Sequence, residues 1–246
     1  EVYKMNKLIL LDVFSYSCMN CLRSLDFIKR VDYKYRKFGL KTIIVHTPEW
    51  NFERNKSNII NAIKKYRINL PIIIDKKIIK KLKVNFWPTQ VLIKHGKIMY
   101  RHIGEGNYKK LENVIKNILK TKSKNIFDKE PKYSKYPTVY CGKRKKGVVK
   151  SQNEDKKLKF GINYIDYNWI QKQEYIKSSK NKSSLMISTK GKVISFVAES
   201  LNKKPVRITA KLNNKFIKKL MVNKPQLYCI HKFNDVKTKK NDNNSS

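Results

Sequence analysis

The sequence is short of acid, of arginine, of cysteine and of long apolar runs. Among 246 residues there are 18 Asp or Glu against 57 Lys or Arg, a formal net charge of +39. Such an excess invites a nucleic-acid reading. Only eight of the basic residues are Arg, however, and Arg is the side chain suited to bidentate contact with bases and phosphates. The lysines are spread along the whole chain and accompany many Ile and Asn, the trio that an AT-rich coding sequence favours. A solvated lysine surface is expected, and nucleic acid is not expected as the main partner. No apolar run approaches the roughly 18–20 residues needed to span a bilayer. "KLILLDVF" (7–14) runs into cysteines without a small-residue cleavage site, so it does not read as a signal peptide. The chain starts at Glu1, and we expect further sequence upstream.

What is present suits a globular protein of two domains. The hydrophobic fraction is 40% and the aromatic fraction 11%, enough for cores that need no staples. The run 7–14 reads as a strand buried on both faces. Residues 19–37 follow at helical spacing, with Gly39 placed to end them. "LKTIIVH" (40–46) and "LPIIID" (70–75) read as buried strands, separated by an amphipathic helix over 52–68. Residues 89–103 read as a hairpin turning at His95-Gly96, and 108–120 as a closing helix. Together these predict an α/β layered domain with a mixed sheet over 1–121.

Residues 122–136 lose periodicity and gain Lys, Pro and Ser, which predicts a linker. Beyond it the pattern is all-β over 137–233, with strand-length runs at 157–165, 169–177, 184–200, 206–222 and 226–233. Turns are expected at Lys190-Gly191, Asn202–Pro205 and Asn213-Asn214. The tail 234–246 reads as disordered.

The chemistry rests on "SYSCMNCLRS" (15–24). A zinc site needs a second ligand pair. Cys141 and Cys229 stand alone in the β half, and the four histidines form no H-x3–5-H pair, so neither metal nor cofactor is expected. A bridge between Cys18 and Cys21 closes too small a loop to restrain the unfolded chain much. A redox role has a physical basis. A cysteine that leaves a strand at a helix N-terminus faces unpaired N–H groups and the positive end of the dipole, both of which favour thiolate. A second cysteine one turn later is placed to attack the mixed disulfide. Pro88, in "NFWPTQVLIKHGK", opens the hairpin strand where the thioredoxin fold carries its cis-proline loop. His46, His95 and His102 read as strand-end or surface residues rather than as bases.

These stretches, with "VHTPEWNFE" and "GEGNY", resemble the DipZ family of thioredoxin-like proteins, relatives of the TlpA- and ResA-type extracytoplasmic oxidoreductases. The resemblance is dense over residues 8–108. It thins across the second half, which is similar to the family's jelly-roll domain through "YNW" (Tyr167–Trp169) and "PQLY" (Pro225–Tyr228). It implies a thioredoxin fold followed by a jelly-roll sandwich, and a thiol–disulfide oxidoreductase acting on protein disulfides in the cell envelope. By the same resemblance Cys18 is the attacking cysteine, Cys21 the resolving one and Pro88 the cis-proline. Glu49 stands for a carboxylate that tunes the cysteines, and Trp87 and Tyr16 for substrate contacts. Relatives carry an N-terminal strand pair, for which only Glu1–Asn6 are present here, so the first domain is expected to be incomplete. The resemblance further implies a membrane electron donor, which in some relatives is fused to the chain. The alternative is a binding module in which Trp169, Tyr164, Tyr167 and Tyr175 form a sugar-stacking face. Finally, first and last strands of a jelly roll commonly run side by side, which raises the expectation of a Cys141–Cys229 bridge.

Overall fold

The computed structural model describes residues 7–75, 77–127, 129, 136, 138–154, 157–180 and 182–233. The expected tail 234–246 and residues 128 and 130–135 of the expected linker lie outside them. The first half builds a five-stranded mixed sheet in the order β3-β2-β1-β4-β5. Its strands are β1 (Leu8–Phe14), β2 (Leu40–His46), β3 (Ile72–Ile74), β4 (Thr89–Lys94) and β5 (Lys97–Ile103). β1 runs parallel to β2, and β2 to β3, whereas β4 is antiparallel to both β1 and β5. Helix α1 (Met19–Tyr35) links β1 to β2. α2 (Lys56–Lys65) and a short α3 (Lys77–Lys81) flank β3, and α4 (Tyr108–Leu119) closes the order.

Strand β1 is buried along its whole length, and its period of two sorts the two cores. Leu8, Leu10 and Phe14 pack with Cys21, Phe27, Ile28 and Val31 of α1 and with Leu111 and Ile115 of α4. Ile9, Leu11 and Val13 pack on the other face with Ile43, Val45, Leu82, Val84, Val91 and Ile93. Asp12 falls on the first face, the one that carries Cys21.

Local chemistry sets the element ends. α1 passes into a 3-10 turn, Arg36–Phe38, which Gly39 stops at φ +95°, a conformation that favours glycine. The expected helix 52–68 is broken in two. Asn51–Arg54 is a 3-10 turn, and Asn55 caps α2 by accepting from the N–H groups of Ser57 and Asn58 at 2.9 and 3.3 Å. Asn is a strong N-cap and a poor helix interior residue, so it begins a helix here rather than continuing one. His95 and Gly96, at φ +49° and +74°, form the two-residue turn between β4 and β5. The five-residue α3 had no expectation in the sequence.

The domain limits differ from the sequence reading. Ile126 donates its N–H to both Glu112 carboxylate oxygens, at 3.0 and 2.8 Å. The Phe127 ring stacks on Phe27 at 5.8 Å. The first domain's packing therefore extends to residue 127 rather than ending at 121. By contacts the chain divides into Glu1–Tyr133 with Phe196–Tyr228, and Ser134–Ser195 with Cys229–Ser246. One cut at residues 122–136 does not reproduce that division.

The second half is β-rich, its described strands forming sheets of two or three. β6 (Val149–Ser151), β7 (Asn163–Ile165) and β10 (Leu185–Ile187) make one sheet, and β8 (Trp169–Gln171) and β9 (Ile176–Ser178) another. β11 (Val193–Ala198) pairs β14 (Gln226–Lys232), and β12 (Val206–Leu212) pairs β13 (Lys215–Val222). Residues 169–177, expected as one strand, form a hairpin closed by the Lys172 N–H on the Tyr175 carbonyl at 2.7 Å. The turn at Asn213-Asn214 is present, with both residues at positive φ.

Cys18, Cys21 and Cys141 are free thiols. β6, the first strand of this half, pairs β7, while the last, β14, pairs β11. The Cys141 thiol donates to Asn163 Oδ1 at 3.2 Å. The side-by-side arrangement behind the expected Cys141–Cys229 bridge is thus not the one observed. The expected stacking face is also incomplete. Tyr164 is fully buried, with its hydroxyl accepting from the Lys159 N–H at 3.0 Å, while Tyr167 is 88% exposed.

Candidate functional site

Cys18 leaves β1 through the turn Ser15–Ser17 and caps α1 in an extended conformation. The Cys21 N–H donates to Cys18 Sγ at 3.3 Å, so one of the helix's orphan donors is spent on the Cys18 sulfur. Cys18 is half-buried and Cys21 fully buried. Burial first, then the Cys18 bond and charge, push the Cys21 thiol well above the ordinary cysteine range, with Asp12 adding to the effect. The two sulfurs therefore differ in exposure and in surroundings.

The Trp87–Pro88 peptide is cis, and the Trp87 carbonyl lies 4.0 Å from Cys18 Sγ. Trp87 is half-buried, and its indole Nε1 donates to Thr47 Oγ1 at 2.6 Å. Phe86, one residue earlier, is an exposed aromatic. β4 brings Pro88 to the end of β1 from which Cys18 departs, and Val13 pairs with Thr89.

Two carboxyl groups that the sequence reading did not single out organise this end of the sheet. Asp12 is fully buried, and burial raises its carboxyl to about 7 against the partial relief of a bond from Gln90. A lone acid within the apolar run "LILLDVF" was the available signal. The second group is Glu53. Its Oε1 accepts from Ser15 Oγ at 2.5 Å, Ser17 Oγ at 2.7 Å and the Ser17 N–H at 3.1 Å. Its Oε2 accepts from the N–H groups of Glu49 and Trp50 at 2.6 and 3.1 Å. The carboxylate that grips the turn before Cys18 is thus Glu53, and Glu49 contributes a backbone donor to it. No sequence spacing announces that contact, because it joins two loops 36–38 positions apart.

Tyr16 is not a surface for substrate. It is 2% exposed, its hydroxyl donates to the Phe52 carbonyl at 3.3 Å, and its ring stacks on His46 at 5.5 Å. His46 is a strand-end residue but a buried one, with Nε2 3.1 Å from the Glu53 carbonyl oxygen. His102 is likewise buried, and His95 is exposed in its turn.

A mixed sheet of this order, with a helix opened by a cysteine pair beside a cis-proline strand, is the thioredoxin fold. No family model matches the chain. Over 116 residues, 46% of this chain, it is 31% identical to DipZ of Mycobacterium tuberculosis. It is 30% identical over 129 residues to SUPPRESSOR OF QUENCHING 1 of Arabidopsis thaliana. A third relative, human NHL repeat-containing protein 2, is 34% identical over 117 residues. The chain spans 17%, 12% and 16% of those proteins' lengths, respectively. The first half is a thioredoxin-fold domain whose sequence is similar to a part of DipZ. Among solved structures, StoA of Bacillus subtilis aligns at 21% identity and a TM-score of 0.40, over 44% of this chain and 82% of its own.

Proposed function

We propose that the chain is a thiol–disulfide oxidoreductase whose Cys18–Cys21 pair reduces or exchanges disulfides of protein substrates. The observation that carries this reading is Cys18 Sγ at the start of α1, bonded by the Cys21 N–H and facing the Trp87 carbonyl at 4.0 Å.

In the reducing direction, the Cys18 thiolate attacks one sulfur of a substrate disulfide. A Cys18–substrate S–S bond forms, the substrate bond breaks, and the departing sulfur leaves as a thiolate and takes up a proton. Cys21 then attacks Cys18 Sγ, closing the Cys18–Cys21 bond and releasing the second substrate thiolate. Two electrons pass from the pair to the substrate. Before its attack the buried Cys21 thiol must lose a proton. Asp12, on the same face of the sheet and held at about 7, is matched to accept it near neutral pH. Trp87, Pro88 and the exposed Phe86 would border an extended substrate segment. The tuning role that the resemblance gives Glu49 falls to Glu53, acting through the Ser15–Ser17 turn. The setting we propose is the extracytoplasmic face of the envelope, supported by the family resemblance.

The test is reduction of insulin disulfides by the full chain recycled with dithiothreitol. Activity is expected for the wild type and not for Cys18→Ser, and Cys21→Ser should accumulate a mixed disulfide on non-reducing gels. An active Cys18→Ser protein would remove the assignment.

A further inference from the structure

Arg23, one turn into α1, is where three segments around the cysteine pair meet. Its Nε donates to Glu105 Oε2 at 2.8 Å and its Nη2 to Glu105 Oε1 at 2.6 Å. The same Nη2 donates to Asn20 Oδ1, between the cysteines, at 2.6 Å. Glu105 belongs to the Gly104-Glu105-Gly106 loop after β5, and the Gly104 N–H donates to the Pro88 carbonyl at 2.8 Å. With Trp87 facing Cys18, these contacts close a ring from Cys18 through Trp87–Pro88, Gly104–Glu105 and Arg23 back along the helix. A guanidinium fork on both carboxylate oxygens fixes plane as well as distance. The Glu105 side chain is 11% exposed and that of Arg23 34%, so water screens the pair only in part.

We propose that Arg23 and Glu105 form a charge-balanced clamp that holds the cis-proline loop beside Cys18 and sets the reactivity of its thiolate. The inference rests on the dithiol reading above and deepens it. Burial alone would pull the Arg23 guanidinium down. The Glu105 bond and charge, followed by the charges of Cys18 and Tyr108, overcome that and hold it above its ordinary value. A guanidinium held on the helix that carries the cysteine pair attracts negative charge developing there. Glu105 works against this, so the two members should act on Cys18 with opposite signs. The other titratable groups near the pair and the clamp are the Cys21 thiol, Asp12 acting on Cys21, Glu53 beneath the Ser15–Ser17 turn, and Tyr108 beside Arg23.

The experiment compares wild type, Glu105→Gln, Arg23→Gln and Arg23→Lys in the full chain. It reads the pH profile of Cys18 alkylation by iodoacetamide and the midpoint of a glutathione redox titration. Glu105→Gln should move the profile to lower pH and the midpoint to a more oxidising value, because an unopposed cation stabilises the reduced form. Arg23→Gln should move both the other way. The expected size is about fivefold in alkylation rate on the acid limb, that of a partly screened pair. Arg23→Lys, which keeps the charge, should fall between wild type and Arg23→Gln. A positioning role without charge would shift Glu105→Gln and Arg23→Gln in the same direction and would overturn the inference. If Arg23→Gln does not fold, the near-isosteric Glu105→Gln decides alone, and an unchanged profile overturns the inference. A wild type without a two-electron couple would sink the dithiol reading itself, whereas a normal couple left in place by both charge variants sinks only the clamp.

Discussion

Gln90 Nε2 donates to Asp12 Oδ1 at 2.7 Å across the β4–β1 ladder, in which the two residues are direct partners. The other carboxyl oxygen, Asp12 Oδ2, is buried without a hydrogen-bond partner among the described residues. One bond does not repay the burial of a charge, so the carboxyl rises from 3.8 to about 7. The sign of the linked stability follows. Between those two values the native state holds a proton that the unfolded state has released, so stability falls as pH rises. The slope is about 1.4 kcal/mol per pH unit, or roughly 2–3 kcal/mol between pH 5 and 7. Asp12→Asn should remove that slope, which urea unfolding of the reduced proteins at pH 5, 6, 7 and 8 would show. It should also slow release of the mixed disulfide by about tenfold or more. Parallel stability curves for the two proteins would show that Asp12 is ionised throughout.

The thiols should separate by reactivity. Cys18 is half-buried and Cys21 fully buried, and burial pushes the Cys141 thiol to about 11. Under native conditions near neutral pH, iodoacetamide should modify Cys18 before Cys21 and Cys141, by about tenfold or more in rate. Peptide mapping after timed quenching gives the order. Labelling of Cys21 ahead of Cys18 would reverse the roles of the pair.

What the sequence disclosed follows from what is local. The apolar runs at 7–14 and 40–46 match β1 and β2, the His95-Gly96 turn lies where its residues require positive φ, and the cysteine pair opens α1. Asn55 was readable as a cap but was hidden within an otherwise amphipathic stretch. Tyr16 shows the opposite case. Its place beside the cysteines suggested a surface, while its burial depends on Phe52 and His46, brought to it by tertiary packing. Glu53 likewise gains its meaning only once two loops are side by side. In the second half, three-residue strands carry too little pattern for their pairing to be read in advance.

The stack that binds the end of the first domain can be tested by truncation. The Phe27 ring stacks on Tyr108 at 4.3 Å and on Phe127 at 5.8 Å. Phe27 is almost wholly buried. Phe27→Ala removes the middle of the stack and should cost about 3–5 kcal/mol. Phe127→Ala, at the half-buried end, should cost less. Urea midpoints measure both, and equal losses would mean that residue 127 is as central as residue 27.

The last prediction concerns Glu53, whose carboxylate collects five donors from Ser15, Ser17, Glu49 and Trp50. A buried acceptor of this kind is costly to remove, because each stranded N–H or O–H keeps its desolvation penalty. Glu53→Gln has nearly the same shape but turns one acceptor into an NH2 group. That group would meet hydrogen-bond donors on whichever side it faces. We expect a loss of about 2–3 kcal/mol in urea unfolding at pH 7. Ser17→Ala, which deletes one hydroxyl donor and leaves the carboxylate its backbone partners, should cost about 1 kcal/mol. The effect should also reach the chemistry, since Ser17 precedes Cys18 and the turn sets where the sulfur meets the Trp87 carbonyl. Folded Glu53→Gln should therefore alkylate at Cys18 with an altered rate and reduce insulin several-fold more slowly. A variant with wild-type stability and rate would make Glu53 incidental to the turn, and the carboxylate that tunes this site would have to be sought again at Glu49.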